Sequence, residues 1–147
     1  MTERHTAGAP LIVVGVDGSA PSREALVWAV GYAALVGARV EAVTSWSYPS
    51  MYGISGGLSD WDPEADAQKV LAEVVDSALG ANAPSSLKQL VREGNAARVL
   101  LDESKDAQLL VVGSRGHGGF AGLLLGSVSA NCAEHAQCPV VVIHGKA

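Results

Sequence analysis

Apolar residues fall into two kinds of run along this chain. The first kind is short and nearly unbroken: Leu11 to Val16 (LIVVGV), Leu109 to Val112 (LLVV) and Val140 to Ile143 (VVVI). Runs of this length, rich in β-branched residues, predict strands of a parallel sheet, the first of them buried on both faces. Val40 to Trp46 (VEAVTSW) alternates in part and predicts a strand nearer the sheet edge. Leu87 to Val91 predicts a further short strand. The second kind repeats at three- and four-residue spacing and predicts helices. After Pro21, the residues Ala25, Leu26, Trp28, Ala29, Tyr32, Ala33 and Val36 make a wide apolar face, with Gly37 as a stop. From Pro63 to Leu79 the inward set is Ala67, Val70, Leu71, Val74, Val75 and Ala78, with Gly80 at the end. Ala96 to about Ser104 and Ser127 to His135 predict two shorter helices. Ser19 and Asn95 stand where N-caps belong, and Pro21 suits a first turn.

The resulting order is β-α-β-α-β-α-β-α-β. Such alternation implies one doubly wound parallel sheet of five strands with right-handed crossovers and helices on both faces. Alternation does not fix the strand order. The order 3-2-1-4-5 is expected, which puts the topological switch point between the first and fourth strands, where ligands bind in open α/β sheets. The carboxyl ends of those strands are Val16-Asp17 and Val112-Gly113. Residues 1–9 are polar and are expected to be a disordered lead-in to a single domain over 10–147. The segment 47–62 is a long loop, of the kind that often covers a binding site.

The chemistry concentrates after the fourth strand, in GSRGHGGFAGLLLGSV. A strand, a glycine loop and a helix N-terminus in succession form an anion site, because glycine lets backbone N–H groups approach and the helix end adds unpaired donors and a positive dipole. Gly113, Gly116 and Gly126-Ser127 are separated by two and nine residues. Within the loop, Gly118 and Gly119 add backbone freedom and Ser114, Arg115 and His117 offer side chains. Arg115 suits phosphate oxygens, and Ser127 can both cap the following helix and donate to a phosphate, with Val128 next to it. Asp17 is either a turn former at the start of the first helix or a carboxylate for ribose, adenine or Mg²⁺. Three rival motifs fail. Gly116-x-Gly118-x-x-Ala121 matches a dinucleotide fingerprint by letter, but the helix starts too late and no second half-domain follows. No G-K-[ST] occurs, and SGGLSD at 55–60 has its acid in the wrong place for a pyrophosphatase loop.

The spacing G-2x-G-9x-G-[ST] resembles the nucleotide loop of the ATP-binding branch of the universal stress protein family. The opening VVGVDGSAPSREALVWA, the turn at Gly94 and the closing Pro139-Val-Val-Val-Ile resemble that family too, so the likeness runs over residues 11–143. Asn95 stands where a proline is common after the glycine. The resemblance implies a Rossmann-like domain of the adenine-nucleotide α-hydrolase type. It also implies ATP, with Mg²⁺, on Gly15, Asp17, Ser45 and the loop; Ser45 would take the place of the second-strand group that meets adenine, within one residue of register. A homodimer through the last strand is implied as well. Function on this reading is a stress response regulated by nucleotide occupancy. The alternatives are a slow ATPase, for which no catalytic pair is visible, and a binder of AMP or a cyclic nucleotide in the same crevice.

Composition narrows the field further. Hydrophobic residues make up 48% and aromatic residues only 5%, so the core must be aliphatic. A net charge of −5 argues against a nucleic-acid partner, which needs a basic face. No run approaches 18 apolar residues, so no membrane span is expected, and the polar N-terminus points to the cytoplasm. Cys132 and Cys138 form no metal-binding pattern and are expected to be reduced, with at least one buried.

Overall fold

The computed structural model describes residues 8–48, 62–115 and 125–145. Within the described residues five strands and four α-helices alternate: β1 (Leu11–Gly15), α1 (Ala20–Val36), β2 (Arg39–Trp46), α2 (Pro63–Leu79), β3 (Lys88–Glu93), α3 (Ala96–Glu103), β4 (Leu109–Gly113), α4 (Ser127–His135) and β5 (Val140–Ile143). A short 3₁₀ turn, Gly80–Asn82, follows α2. The sheet is parallel throughout, in the order β3-β2-β1-β4-β5. The expected fold class and strand order are therefore present. Of the expected lead-in, only Gly8 and Ala9 belong to the described residues, and most of the 47–62 loop lies outside them.

The core is two aliphatic layers, one on each side of the sheet. Ile12 and Val14 of β1 and Val111 of β4 face α1 and α2. Val13, Leu110 and Val112 face α3 and α4, together with Cys132. Side chains alternate across a strand, so β1 and β4 are apolar on both sides, which is why their runs are unbroken.

Three helices stop their own N-terminal donors. Ser19, Asp62 and Asn95 accept side-chain bonds from the N–H groups of Ser22, Ala65 and Arg98. Gly37 ends α1 in the left-handed region at φ 73°.

Two expectations about burial need correction. Trp28, Tyr32 and Val36 are not part of the buried face of α1; they are 36%, 36% and 41% exposed. The buried arc consists instead of Ser22, Ala25, Leu26, Ala29 and Ala33. Small residues let the helix lie close to the sheet, and the bulky ones are displaced to the flank, where the Trp28 and Tyr32 rings stack at 5.0 Å. Val70 of α2 is likewise exposed. The third strand runs Lys88–Glu93 rather than 87–91, because the edge position leaves Arg92 and Glu93 free to stay polar while their backbone pairs with Ser45 and Trp46.

Candidate functional site: a crevice at the switch point

Strand order brings the carboxyl ends of β1 and β4 side by side. A crevice opens there, lined by Gly15, Val16, Asp17, Ser45, Gly113, Arg115 and Val128. Val43, Val112, Ala96 and Leu100 supply apolar walls, and Ser19 and Ser22 supply hydroxyls. Its enclosed part measures about 70 Å³. That is far below the roughly 300 Å³ at the small end of ligand pockets, so the described residues alone do not enclose a nucleotide-sized chamber.

Asp17 closes a ring of hydrogen bonds at the entry of α1. Its Oδ1 accepts from the Ser19 N–H at 2.9 Å and from the Ser19 hydroxyl at 2.5 Å. The Asp17 N–H donates to Ser22 Oγ at 3.2 Å, and the Ser22 hydroxyl donates to the Ser19 carbonyl at 3.0 Å. The turn-forming role is thus real, and the same side chain lines the crevice. Among the described residues, no three or more His, Cys, Asp or Glu side chains gather as a metal cluster. One carboxylate fits Mg²⁺ only when phosphate oxygens complete the shell.

Ser45, not its neighbour Thr44, lines the crevice; the Thr44 hydroxyl is buried and donates to the Val16 carbonyl at 2.8 Å. Trp46 is not among the lining residues and meets Tyr48 edge-on at 5.5 Å. The two strand-end glycines have packing reasons. A Cβ on Gly15 would sit 2.7 Å from Leu100 Cδ1. A Cβ on Gly113 would sit 2.7 Å from the carbonyl carbon of Pro21 and 2.9 Å from the Ser22 nitrogen.

The loop ends behave differently from the sequence reading at two residues. Ser114 is buried and does not line the crevice; its contribution runs through the main chain. Its N–H donates to the Ile143 carbonyl at 2.8 Å, and its carbonyl accepts from the Gly126 N–H at 2.7 Å. Ser127 is the first residue of α4, not its cap. The cap is Gly126, which has no side chain to satisfy the first turn. So among the described helices α4, whose Val128 lines the crevice, is the one without a side-chain N-cap. Gly116, His117, Gly118 and Gly119 lie outside the described residues.

Sequence reasoning missed Ala96 and Leu100, although both follow from the Asn95 cap and helical spacing on one face of α3. It also missed Ser129, a fully helical and buried residue whose hydroxyl donates to the Ser114 carbonyl at 2.8 Å.

In the layer between the sheet and helices α3 and α4, Cys132 and Cys138 are free thiols, the first buried. Burial pushes the Cys132 thiol up to about 11, with Cys138 adding in the same direction. Burial raises Cys138 as well, against a hydrogen bond with Ser104. No described helix is long and apolar enough to cross a membrane.

Residues 11–144 match the family model described as the universal stress protein family. A universal stress protein of Mycolicibacterium smegmatis is 38% identical over 144 residues, covering 91% of this chain and 48% of its own length. One from Mycobacterium tuberculosis is 37% identical over 139 residues, covering 94% of this chain and 46% of its own. The chain thus spans about half the length of these relatives. Among solved structures, a universal stress protein in complex with cAMP superposes with a TM-score of 0.69 at 29% identity, covering 93% of this chain and 98% of that one. The Archaeoglobus fulgidus protein in complex with dAMP gives 0.62 at 25%, covering 92% and 97%. UspA of Lactobacillus plantarum gives 0.74 at 24%, covering 92% and 98%, a likeness of fold. With a match over nearly all of its length and relatives above 30% identity, this chain belongs to the universal stress protein family.

Proposed function

We propose that this chain binds an adenine nucleotide in the crevice between β1 and β4, with ATP as ligand and regulation by occupancy as its use. The observation that carries the reading is the contrast among helix starts. α1, α2 and α3 each bond one first-turn N–H to a cap side chain, whereas α4 begins on Gly126 without a side-chain cap and sets Val128 on the crevice. Uncapped first-turn N–H groups and the helix dipole favour an anion there. Arg115 lines the same crevice and adds a cation suited to phosphate. Ser45 and the apolar walls from Val43, Ala96 and Leu100 suit the nucleoside end. Mg²⁺ would arrive with the phosphates and meet Asp17.

The cAMP and dAMP complexes of related proteins support a second reading, a monophosphate or cyclic nucleotide as the natural ligand. Calorimetric titration with ATP, AMP and cAMP, each with and without Mg²⁺, separates the two. Tightest binding of ATP, strengthened by Mg²⁺, supports the first. Preference for AMP or cAMP supports the second. Absence of binding by all three at millimolar concentration refutes both.

Assembly as a homodimer through β5 is part of the proposal. Val140 to Ile143 are all only partly buried on an edge strand without a charged residue, and such an edge favours pairing with another strand. Sedimentation equilibrium of the chain tests it: a monomer at all concentrations refutes this part alone.

A further inference from the structure

We propose that Ser129 is a positioning residue for the nucleotide loop: its hydroxyl holds the two ends of the loop together, and so sets the distance between Arg115 and the first turn of α4. The inference rests on the reading of the crevice as a nucleotide site.

The chain leaves β4 at Ser114 and returns to α4 at Gly126. Both ends meet at one atom. The Ser114 carbonyl oxygen accepts from the Gly126 N–H at 2.7 Å and from Ser129 Oγ at 2.8 Å. A carbonyl has two lone pairs, and both are used. Ser129 Oγ also lies 3.1 Å from the Gly126 carbonyl, the atom that accepts the first helical bond of α4 from the Ala130 N–H at 2.9 Å. Ser129 is 2% exposed, so water does not compete for these bonds. The Ser114 N–H is fixed in turn by the Ile143 carbonyl of β5. The loop base is therefore tied to three elements: strand β5, helix α4 and its own returning end.

Arg115 follows the clamped Ser114 directly, and Ser127 and Val128 follow the clamped Gly126 directly. A phosphate touched by both sides needs their spacing set before it arrives, since ordering on binding subtracts from affinity. Helix propensity does not explain a serine here, as serine is a poorer helix former than alanine. Removal of the hydroxyl orphans no acceptor: the Ser114 carbonyl keeps the Gly126 N–H, and the Gly126 carbonyl keeps the Ala130 N–H. The fold therefore tolerates Ser129→Ala, and the effect falls on the loop base.

The test has two readouts on the full chain. Trypsin cleavage after Arg115, followed by mass spectrometry without nucleotide, reports the loop base alone. ATP titration reports positioning. For Ser129→Ala the cleavage rate and the Kd for ATP are each expected to rise about five- to tenfold, the equivalent of one modest buried hydrogen bond. Ser129→Thr, which keeps the hydroxyl, restores both towards wild type. Ser104→Ala, a fully buried serine away from the loop, leaves both unchanged. Should Ser129→Ala lose its helical circular dichroism, Ser129→Cys, close in volume and a weak donor, is expected to show the same two increases. Wild-type values in both readouts for a folded Ser129→Ala overturn the clamp. Faster cleavage with unchanged Kd in a wild type that binds ATP overturns the positioning role and leaves the nucleotide site standing. A wild type that binds no adenine nucleotide overturns both readings, whatever the cleavage rate does.

Discussion

Gly113→Ala is expected to destabilise the protein even when no nucleotide is present. A Cβ at this position would stand 2.7 Å from the Pro21 carbonyl carbon, 2.8 Å from Pro21 Cβ and 2.9 Å from the Ser22 nitrogen. Comfortable carbon contacts begin near about 3.5 Å, so backbone at the start of α1 must retreat by roughly 0.5–1 Å. That backbone is pinned by the Asp17–Ser19–Ser22 ring of hydrogen bonds, so it cannot slide away cheaply. Overpacking of this kind costs about 1–3 kcal/mol. Against it stands the gain of about 0.4–1 kcal/mol from the stiffer unfolded chain. The net loss is about 1–2 kcal/mol, or roughly 3–8 °C in Tm for a domain of this size. Gly31→Ala is the matched control. Gly31 is an interior residue of α1 with no heavy atom within 4 Å of an added Cβ, so the same substitution should stabilise by about 0.5–1 kcal/mol. Urea unfolding of both variants without ligand reads the two signs directly, as midpoint shifts at unchanged slope. Gly113→Ala as stable as wild type would refute the packing argument and return this glycine to a role in ligand approach alone.

Three further outcomes follow from the same geometry. Asp17→Asn keeps an Oδ1 acceptor for both Ser19 donors, so urea stability should stay within about 0.5 kcal/mol of wild type, while the Mg²⁺ dependence of ATP titrations should disappear; Asp17→Ala should in addition lose about 1 kcal/mol. Leu26→Ala, at 0% exposure, should cost about 2–5 kcal/mol, whereas Leu35→Ala on the same helix, at 83% exposure, should stay within about 0.5 kcal/mol. The folded state holds the Cys132 proton up to about pH 11, against 9.0 for the ordinary thiol. The contribution of this thiol to stability is therefore full below pH 9 and falls by about 2–3 kcal/mol as pH rises towards 11, because the unfolded chain releases that proton first. Urea midpoints measured between pH 8 and pH 10.5 should show the slope in wild type and a flatter profile in Cys132→Ala.

The sheet was legible in the sequence for a specific reason. β1 and β4 are buried on both faces, so their apolar runs are nearly unbroken and end sharply, at Asp17 and at Gly113. The caps Ser19 and Asn95 and the stop Gly37 were legible because each residue type answers a local backbone demand. The edge strand β3 was less so: Arg92 and Glu93 belong to it, yet an edge leaves them in solvent and hides them from any apolar count. The flank of α1 was misread because hydrophobic periodicity weighs Trp28 above Ala29, while close packing of helix on sheet prefers the alanine. In the crevice, Asp17, Ser45, Arg115 and Val128 were accessible to pattern and resemblance. Ser129 and the main-chain role of Ser114 were not, since a side-chain hydroxyl on a main-chain carbonyl joins positions 15 residues apart without leaving a spacing rule in the sequence.

The central claim is that the uncapped start of α4 receives the phosphates of an adenine nucleotide. Titration of ¹⁵N-labelled protein with ATP and Mg²⁺, followed by amide chemical shifts, tests it at the atoms concerned. The account predicts saturating shifts largest at the amides of Ser127 and Val128, with Gly15 and Ser45 moving along the same binding curve. Saturation with those amides unmoved, or no shift anywhere at millimolar ATP, would contradict it.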